Sequence, residues 1–554
     1  MAIAPDPFEQ RREQMYGTLA PEQVARIAPL GARRQLRRGE VLYDQGDREI
    51  PFYVVMRGTL EAVRPHDATE DAITILGPGQ FTGEMNMLTG RRSLVRVRAR
   101  EDGEVLEVRA EALRVLVQVD SELSELLMRA FILRRVGLIA RGMGDVVLVG
   151  SPHSSGTLRI KEFLVRNGHP YTYLDVERHD DVQALLDRLK ITIDEIPVVV
   201  CRGEKVLRNP TPEKLADCLG FNRDLRVEVV RDLLVVGAGP AGLAAAVYGA
   251  SEGLSVLVLE THAPGGQAGS SSRIENYLGF PYGISGQALA GRAFSQAEKF
   301  GAGVVIARSA GKLLCERNPY AVQLSSGEVM HARAVIIASG AQYRKLPLVK
   351  LSVFEGAGVY YAASQMEAQL CAGEEVIVVG GGNSAGQAAV FLSETATHVH
   401  VLVRSDGLAE TMSRYLVRRI EDSPRITVHA RTEIESLDGD TRLETVRWRN
   451  ARGEIESHSI RHVFLMTGAV PNTGWVAGCV TLDDKGFVKT GGDLTAEELA
   501  AARWPLRRAP YLLETSRPGV FAVGDVRAGS VKRVASAVGE GSICVQLCHK
   551  VLAE

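Results

Sequence analysis

The chain has 554 residues, enough for three to four domains at about 150 residues each. Its 65 Lys and Arg against 67 Asp and Glu leave a net charge of -2, so no basic excess exists for coating nucleic acid, and no nucleic-acid partner is expected. The opening MAIAPDPFEQRREQ is polar and no apolar run approaches the roughly 18 residues of a membrane span, so a cytoplasmic protein without membrane insertion is predicted. The seven cysteines, at 201, 218, 315, 371, 479, 544 and 548, include no C-x-x-C pair. Neither a disulfide scaffold nor a metal site is therefore predicted. Glycine is the compositional outlier, 56 of 554 residues against a usual value of about 7%. That excess suggests backbone that must approach something closely.

In chain order, short β-like runs fill 33–110 (GEVLYDQGD, FYVVMRGTLEAV, AITILGPGQ, SLVRVRA, GEVLEV). Gly, Pro and Asp punctuate them as in an all-β roll. Apolar residues at helical spacing follow over 110–138. The pattern then becomes strand–helix–strand, DVVLVGS, LRIKEFLVRNG, YTYLDV, VQALLDRLK and IPVVVCRG, an α/β module. A long α/β region begins at Leu233. The expected fold class is multidomain α/β, with an N-terminal β-roll.

Two dinucleotide signals lie in that last region. In DLLVVGAGPAG an apolar strand runs into Gly237, Gly239, Pro240, Ala241 and Gly242 and then a helix. The first glycine permits the tight turn, the second lets amides approach a pyrophosphate, and the third packs helix on strand. The next strand ends in Glu260, placed to accept both ribose hydroxyls. The second signal, EEVIVVGGGNSAGQAAVFL, contains Gly380, Gly382, Asn383, Ser384 and Ala385, and its following strand ends in Arg404. A cation there suits the 2′-phosphate of NADPH, so NADPH is preferred over NADH. Two such sites in one chain imply hydride transfer from a nicotinamide to a flavin.

AVIIASGA with Gly340, GVFAVGD with Gly524 and Asp525, Gly265-Gly266-Gln267, IENYLGFP with Asn276, and VKRVASAVGEG complete an ordered set. From about Leu233 to the C-terminus it resembles the flavoprotein disulfide reductases, specifically the low-molecular-weight thioredoxin reductase family. The resemblance implies an FAD domain split around an inserted NADPH domain, a Rossmann-like fold in each, and a homodimer. It also implies that Gly266, Gln267, Asn276, Gly340, Asp525, Arg533, Val534 and Ala535 lie around the flavin.

The sequence departs from that family at the redox dithiol, whose positions fall on Ala362 and Gln365 in GVYYAASQMEAQLC. No thiolate relay to the flavin can operate there, and a lone Cys371 cannot form an internal disulfide. Cys544 and Cys548, one helical turn apart, are read as packing residues. The middle module, about Asp145 to Phe221, resembles a thioredoxin fold. Its dithiol positions carry Ser151 and Ser154, and Glu195-Ile196-Pro197-Val198 resembles that fold's cis-proline turn. Its expected role is docking or spacing.

Residues from about Gly17 to Arg135 resemble a cyclic-nucleotide-binding domain. In GQFTGEMNMLTGRRSLVRVRA, Gly83 opens a short helix and Glu84 would hold the ribose 2′-OH. Strict register puts Ser93 where the family has the phosphate-binding arginine, just after Arg91 and Arg92. Either a shifted arginine such as Arg92 serves, or the pocket has lost its ligand. Residues 91–100 carry five arginines, readable as an anion site or as a solvent-facing strand face of period two. No helix-turn-helix pattern follows this domain, so the transcription-factor use of the same fold is not expected.

The domain limits predicted are 1–143, 144–222, 223–344, 345–461 and 462–554. The function expected is an FAD-dependent NAD(P)H oxidoreductase with cAMP or cGMP as a potential effector. Its electron acceptor is a small molecule or protein, such as a quinone, a ferredoxin-like carrier or oxygen. A low-turnover redox sensor and a ferredoxin–NADP reductase are the alternatives.

Overall fold

The computed structural model describes residues 12–66, 69–89, 91–140, 146–152, 154–176, 192, 195–201, 205–222, 228–271, 273–363, 365–408, 412–440 and 442–554. They form two compact units. One is drawn from 1–150, 167–225 and 295–306, the other from 151–166, 226–294 and 307–554.

The first unit opens with the β-roll that the punctuated strands predict. A three-stranded sheet runs Gly31–Leu36, Gly103–Val108, Phe52–Arg57, and a four-stranded sheet runs Val41–Tyr43, Arg96–Ala99, Leu60–His66, Thr69–Leu76. Every pairing within both is antiparallel. Phe52, Phe81 and Phe131, all fully buried, form an aromatic triad with centroids 5.7 to 6.4 Å apart. The single helix expected over 110–138 is two, Ala110–Val119 and Ser121–Ala140. Asp120 interrupts them with extended backbone, and its Oδ1 accepts from the Leu123 amide at 3.0 Å as a cap.

Within the arginine-rich run, Arg96 and Arg98 lie on one strand face. Arg96 pairs with Asp44 and Glu70, and Arg98 with Glu61 and Glu70. A like-facing row of arginines on a half-exposed strand is thus neutralised by carboxylates of neighbouring strands.

Also in the first unit is a four-stranded sheet ordered Lys205–Arg208, Val198–Cys201, Val146–Gly150, Thr172–Asp175. Its last pairing is parallel and the others antiparallel. The helix Pro212–Leu219 has the signals its sequence carries, with Thr211 capping, Pro at the first position and Gly220 at φ 66° closing it. The Ile196–Pro197 bond is cis. The expected helix at VQALLDRLK lies outside the described residues.

The second unit contains strands of a mixed sheet with a parallel centre and a second sheet that is parallel throughout. In one, Arg231–Val236 lies between Val256–Glu260 and Val329–Ile337, and Val520–Ala522 returns from near the C-terminus to pair in parallel with Val329–Ile337. The other is ordered Val359–Tyr360, Val463–Leu465, Glu375–Val379, His398–Val403, Ile426–Ala430. The lobe built on this second sheet includes Val463–Leu465. The pairing of Val463–Leu465 with Glu375–Val379 is a tertiary contact that local composition does not reveal. Two crossings connect the lobes, and they pair with each other as an antiparallel ribbon, Ala341–Tyr343 with Ala469–Pro471.

Four of the seven cysteines are bonded, Cys201 to Cys218 and Cys315 to Cys479. Neither bond is of C-x-x-C spacing, and the sequence pattern marks neither pair. Spacing searches register only close pairs, and Cys315 and Cys479 are 164 residues apart. Among the described residues no helix is long and apolar enough to cross a membrane.

Candidate functional site: two dinucleotide cradles

The first cradle begins where the buried strand Arg231–Val236 meets Gly237 at φ +109°. A Cβ on Gly237 would stand 2.3 Å from the Ala338 carbonyl oxygen, and one on Gly242 would stand 1.8 Å from that of Gly237. Neither position admits a side chain, the physical content of two of the three fingerprint glycines. Gly239 is the N-cap of the helix Pro240–Ser251, and no side chain caps it. The helix-start amides and the dipole's positive end are consequently left to an anion.

Glu260, 8% exposed, ends the neighbouring strand. Its Oε2 accepts from the Ala238 amide at 2.8 Å and its Oε1 from the His262 amide at 2.9 Å. The carboxylate is thereby held at the rim with lone pairs to spare.

Other predicted flavin residues gather around this loop. Gly266, at φ +55°, faces Gly239, and a Cβ there would lie 3.0 Å from the Gly239 Cα. Gln267 donates from Nε2 to the Ala341 carbonyl, fastening this loop to the inter-lobe ribbon. Gly340, at φ +64°, has nothing within 4 Å of where a Cβ would be. Gly524 donates its amide to Glu540 Oε2 at 2.6 Å. Burial raises the Asp525 carboxyl above its ordinary range, with Lys532 opposing. Arg533 is the N-cap of Val534–Ala553, so Val534 and Ala535 occupy its first turn. That helix packs on Pro240–Ser251 so closely that a Cβ on Gly541 would stand 2.2 Å from the Ala241 carbonyl oxygen. Asn276 is exposed.

The second cradle repeats the construction. Glu375–Val379 leads into Gly380 at φ +141°, where a Cβ would stand 2.4 Å from the Met466 carbonyl oxygen. Gly382 is the uncapped N-cap of Asn383–Leu392, with open space around its Cα. Asn383 Oδ1 accepts from the Ser413 amide at 2.7 Å. Ala385 is fully buried against the sheet and Ser384 is exposed. Arg404 follows His398–Val403 directly and is exposed.

Gln365 opens the helix Gln365–Leu370, and Ala362 lies half-buried just before it. Cys371 is fully buried, and burial pushes its thiol up to about 11. Cys544 and Cys548 are also fully buried, and burial raises the Cys544 thiol as well. Cys371 and Cys544 are thereby held in the inert thiol form at neutral pH.

One contact was not foreseen. The helix Ser155–Arg166 touches the loop at Gly266, where Arg166 Nη2 donates to the Gly266 carbonyl at 2.7 Å. Gln287 Nε2 donates to the Val165 carbonyl at 2.8 Å, and Phe163 meets the His262 ring edge-on. The only trace of this in the sequence is an arginine at a helix C-terminus, where countless others simply face water.

In the N-terminal domain Gly83 has φ +113°, and a Cβ there would stand 2.6 Å from Met87 Sδ. Arg134 Nη1 donates to the Gly83 carbonyl at 2.7 Å. Glu84 is 5% exposed, and burial raises its carboxyl against the pull of Arg135 and Arg91. The Ser93 hydroxyl donates to the Val95 carbonyl at 2.8 Å.

The profile of the pyridine nucleotide-disulphide oxidoreductases matches residues 231–541, more than half of the chain, and that of the cyclic nucleotide-binding domain matches residues 33–120. The chain belongs to the pyridine nucleotide-disulphide oxidoreductase family. Within it the relatives are thioredoxin reductases. That of Bacillus subtilis is 32% identical over 326 residues, 58% of this chain and 94% of the relative. The Mycolicibacterium smegmatis enzyme is 32% identical over 59% and 98%. The NADPH-dependent thioredoxin reductase 3 of Arabidopsis thaliana is 30% identical over 63% of this chain and 65% of its own length. Among solved structures, thioredoxin reductases from Lactococcus lactis and T. acidophilum each superpose with a TM-score of 0.52 at 25% and 27% identity, over 58% of this chain and 99% of theirs. The protein is thus a thioredoxin reductase-like oxidoreductase that also carries a cyclic nucleotide-binding domain.

Proposed function

We propose that the protein is an FAD-dependent NADPH oxidoreductase that delivers electrons to a small-molecule or protein acceptor without a dithiol beside the flavin. The observation that carries this reading is the pair of glycine-cornered, uncapped helix N-termini in one unit, each following a strand paired in parallel with its neighbour. Both cradles pass a test of fit, since a Cβ at Gly237, Gly242 or Gly380 would collide with backbone and the helix amides lack side-chain caps. One arabidopsis relative is named as NADPH-dependent, in keeping with Arg404 here.

In this reading Glu260 accepts the ribose hydroxyls of FAD, and the Gly237–Gly242 turn holds its pyrophosphate. Gly266, Gln267, Asn276, Gly340, Gly524, Asp525 and the Arg533–Ala535 helix start border the rest of the cofactor. Gly380, Gly382, Asn383, Ser384 and Ala385 seat the second dinucleotide, and Arg404 binds its 2′-phosphate. When bound, FAD supplies the hydride-accepting chemistry. The chain's own contribution is positioning and exclusion of water, with no side-chain acid or base needed.

Ala362 and Gln365 carry no sulfur and Cys371 is buried, so the acceptor must meet the flavin directly. The middle module, with Ser151 and Ser154 at its own dithiol positions, serves as a thioredoxin-like docking domain. The N-terminal domain takes cAMP or cGMP as effector, and the enzyme works as a cytoplasmic homodimer.

Anaerobic stopped-flow mixing of the flavin-loaded protein with NADPH or NADH tests the reading. The expected result is rapid bleaching of the flavin band, faster with NADPH, and continuous turnover once a quinone or ferredoxin-type acceptor is added. Flavin that stays oxidised would sink the oxidoreductase reading. Bleaching without turnover on any acceptor would favour the redox sensor.

A further inference from the structure

The loop of the N-terminal domain that resembles a phosphate-binding cassette is covered. Glu84, Asn86, Arg91 and Ser93 are 5%, 5%, 8% and 1% exposed. Part of the cover comes from the same unit, from the two turns at Gly168 and at Gly220–Phe221. The Arg91 guanidinium lies over the Phe221 ring, 4.8 Å from its centroid, and the His169 ring packs on Phe221 at 5.4 Å. Arg48 Nη2 donates to the Gly220 carbonyl at 3.4 Å. A Cβ on Gly220 would stand 2.8 Å from Arg48 Nη2 and 2.9 Å from Arg92 Nε. Arg135 Nε donates to the Gly168 carbonyl at 2.9 Å, while its Nη1 reaches Glu84 Oε2 at 3.5 Å and Asn86 Oδ1 at 3.3 Å.

Four guanidiniums therefore converge on two backbone turns and one aromatic ring. Guanidinium forks match phosphate oxygens, and a carbonyl offers the same acceptor chemistry with only partial charge. An aromatic ring against a guanidinium adds cation–π attraction in a site shielded from water. The space beside Gly220 is so filled by Arg48 and Arg92 that even a methyl group there would overlap them.

We propose that this loop is an intramolecular docking surface whose occupant is the middle module, through Gly168, Gly220 and Phe221, and that a cyclic nucleotide competes with the module for the same arginines. The competition rests on the nucleotide-effector reading above, whereas the docking does not. By linkage, a nucleotide that binds only the undocked form favours release of the module. Its apparent affinity is reduced by the fraction of molecules that are undocked.

The test uses the full-length protein and two variants that weaken docking by different routes. Phe221→Ala removes the ring, and Gly220→Ala places a methyl group against Arg48 and Arg92 at a left-handed residue. Retained flavin absorbance and far-UV circular dichroism verify that each variant folds. Hydrogen exchange over residues 91–97 reads docking directly, and calorimetric titration with cAMP and with cGMP reads competition. Docking predicts faster exchange in at least one folded variant, and competition predicts cyclic-nucleotide affinity at least tenfold tighter in that variant than in the parent. Unchanged exchange in both variants would overturn the docking. Faster exchange with nucleotide affinity unchanged or weaker would overturn the competition. Faster exchange with no nucleotide bound by any form would leave the dock standing, overturn the competition, and refute the nucleotide-effector reading itself.

Discussion

At the scale of single residues, the two cradles differ mainly in what ends the strand beside each. Glu260 is a buried carboxylate fixed by two amides, and Arg404 is an exposed cation. The first repels a 2′-phosphate and the second attracts one. Arg404→Ser is expected to raise the KM for NADPH by about 10- to 100-fold, the loss of one charge-assisted contact worth roughly 1.5–3 kcal/mol. The KM for NADH should change less than about twofold and kcat at saturating NADPH should hold. Steady-state kinetics with both coenzymes checks this, and equal losses for both would show that Arg404 does not read the phosphate. The glycines were legible in the sequence because steric exclusion is local: Gly242 needs only Gly237, five residues earlier. Arg166 was not, because its partner Gly266 is 100 residues away.

At the scale of elements, the parallel strands around Arg231–Val236 are tied together at one end by a single side chain. Asp232 Oδ2 accepts from the Ser255 amide at 3.0 Å and hydroxyl at 2.9 Å, and its Oδ1 accepts from Arg333 Nη1 at 3.0 Å. It thus connects Arg231–Val236 to the strands on either side. Burial works against the charge, but Ser255 and Arg333 outweigh it and hold the carboxyl below its ordinary value. A depressed carboxyl contributes stability that is present above the unfolded value of about 3.9 and is lost as pH falls through the folded one. Asp232→Asn should therefore lower the midpoint of thermal unfolding by about 2–4 °C between pH 5 and 7, with the gap closing below about pH 4. Calorimetry of the two proteins across that range checks it, and a gap independent of pH would assign the loss to geometry instead of charge. The strands themselves were readable from apolar runs. The break at Asp120 was not, because helical periodicity continues across it in the sequence.

At the scale of the whole molecule, the disulfide Cys315–Cys479 links segments before and after the inserted lobe, with Cα atoms 5.9 Å apart. In the chain-entropy account, closing a loop of that size stabilises by at most about 5 kcal/mol. Thiol titration of the denatured protein should find three free thiols before reduction and seven after. Cys479→Ser should lower the unfolding midpoint relative to the oxidised parent. Seven thiols without reductant, or an unchanged midpoint, would show that the bond does not form in the cell or does not brace the fold.

The sequence by itself determined the two strand–glycine–helix turns, the acid and the cation that end the strands beside them, and the absence of sulfur at Ala362 and Gln365. Each depends on neighbours a few residues away, so its sterics and chemistry are complete within a short window. Only the tertiary structure decided that Val463–Leu465 joins the inserted lobe and that Cys315 finds Cys479. It alone showed Arg166 reaching Gly266, and Gly220 and Phe221 lying on the arginines of the N-terminal domain. Those contacts join residues tens to hundreds of positions apart. They follow from how buried surfaces pack once each element exists, a condition that no local pattern records.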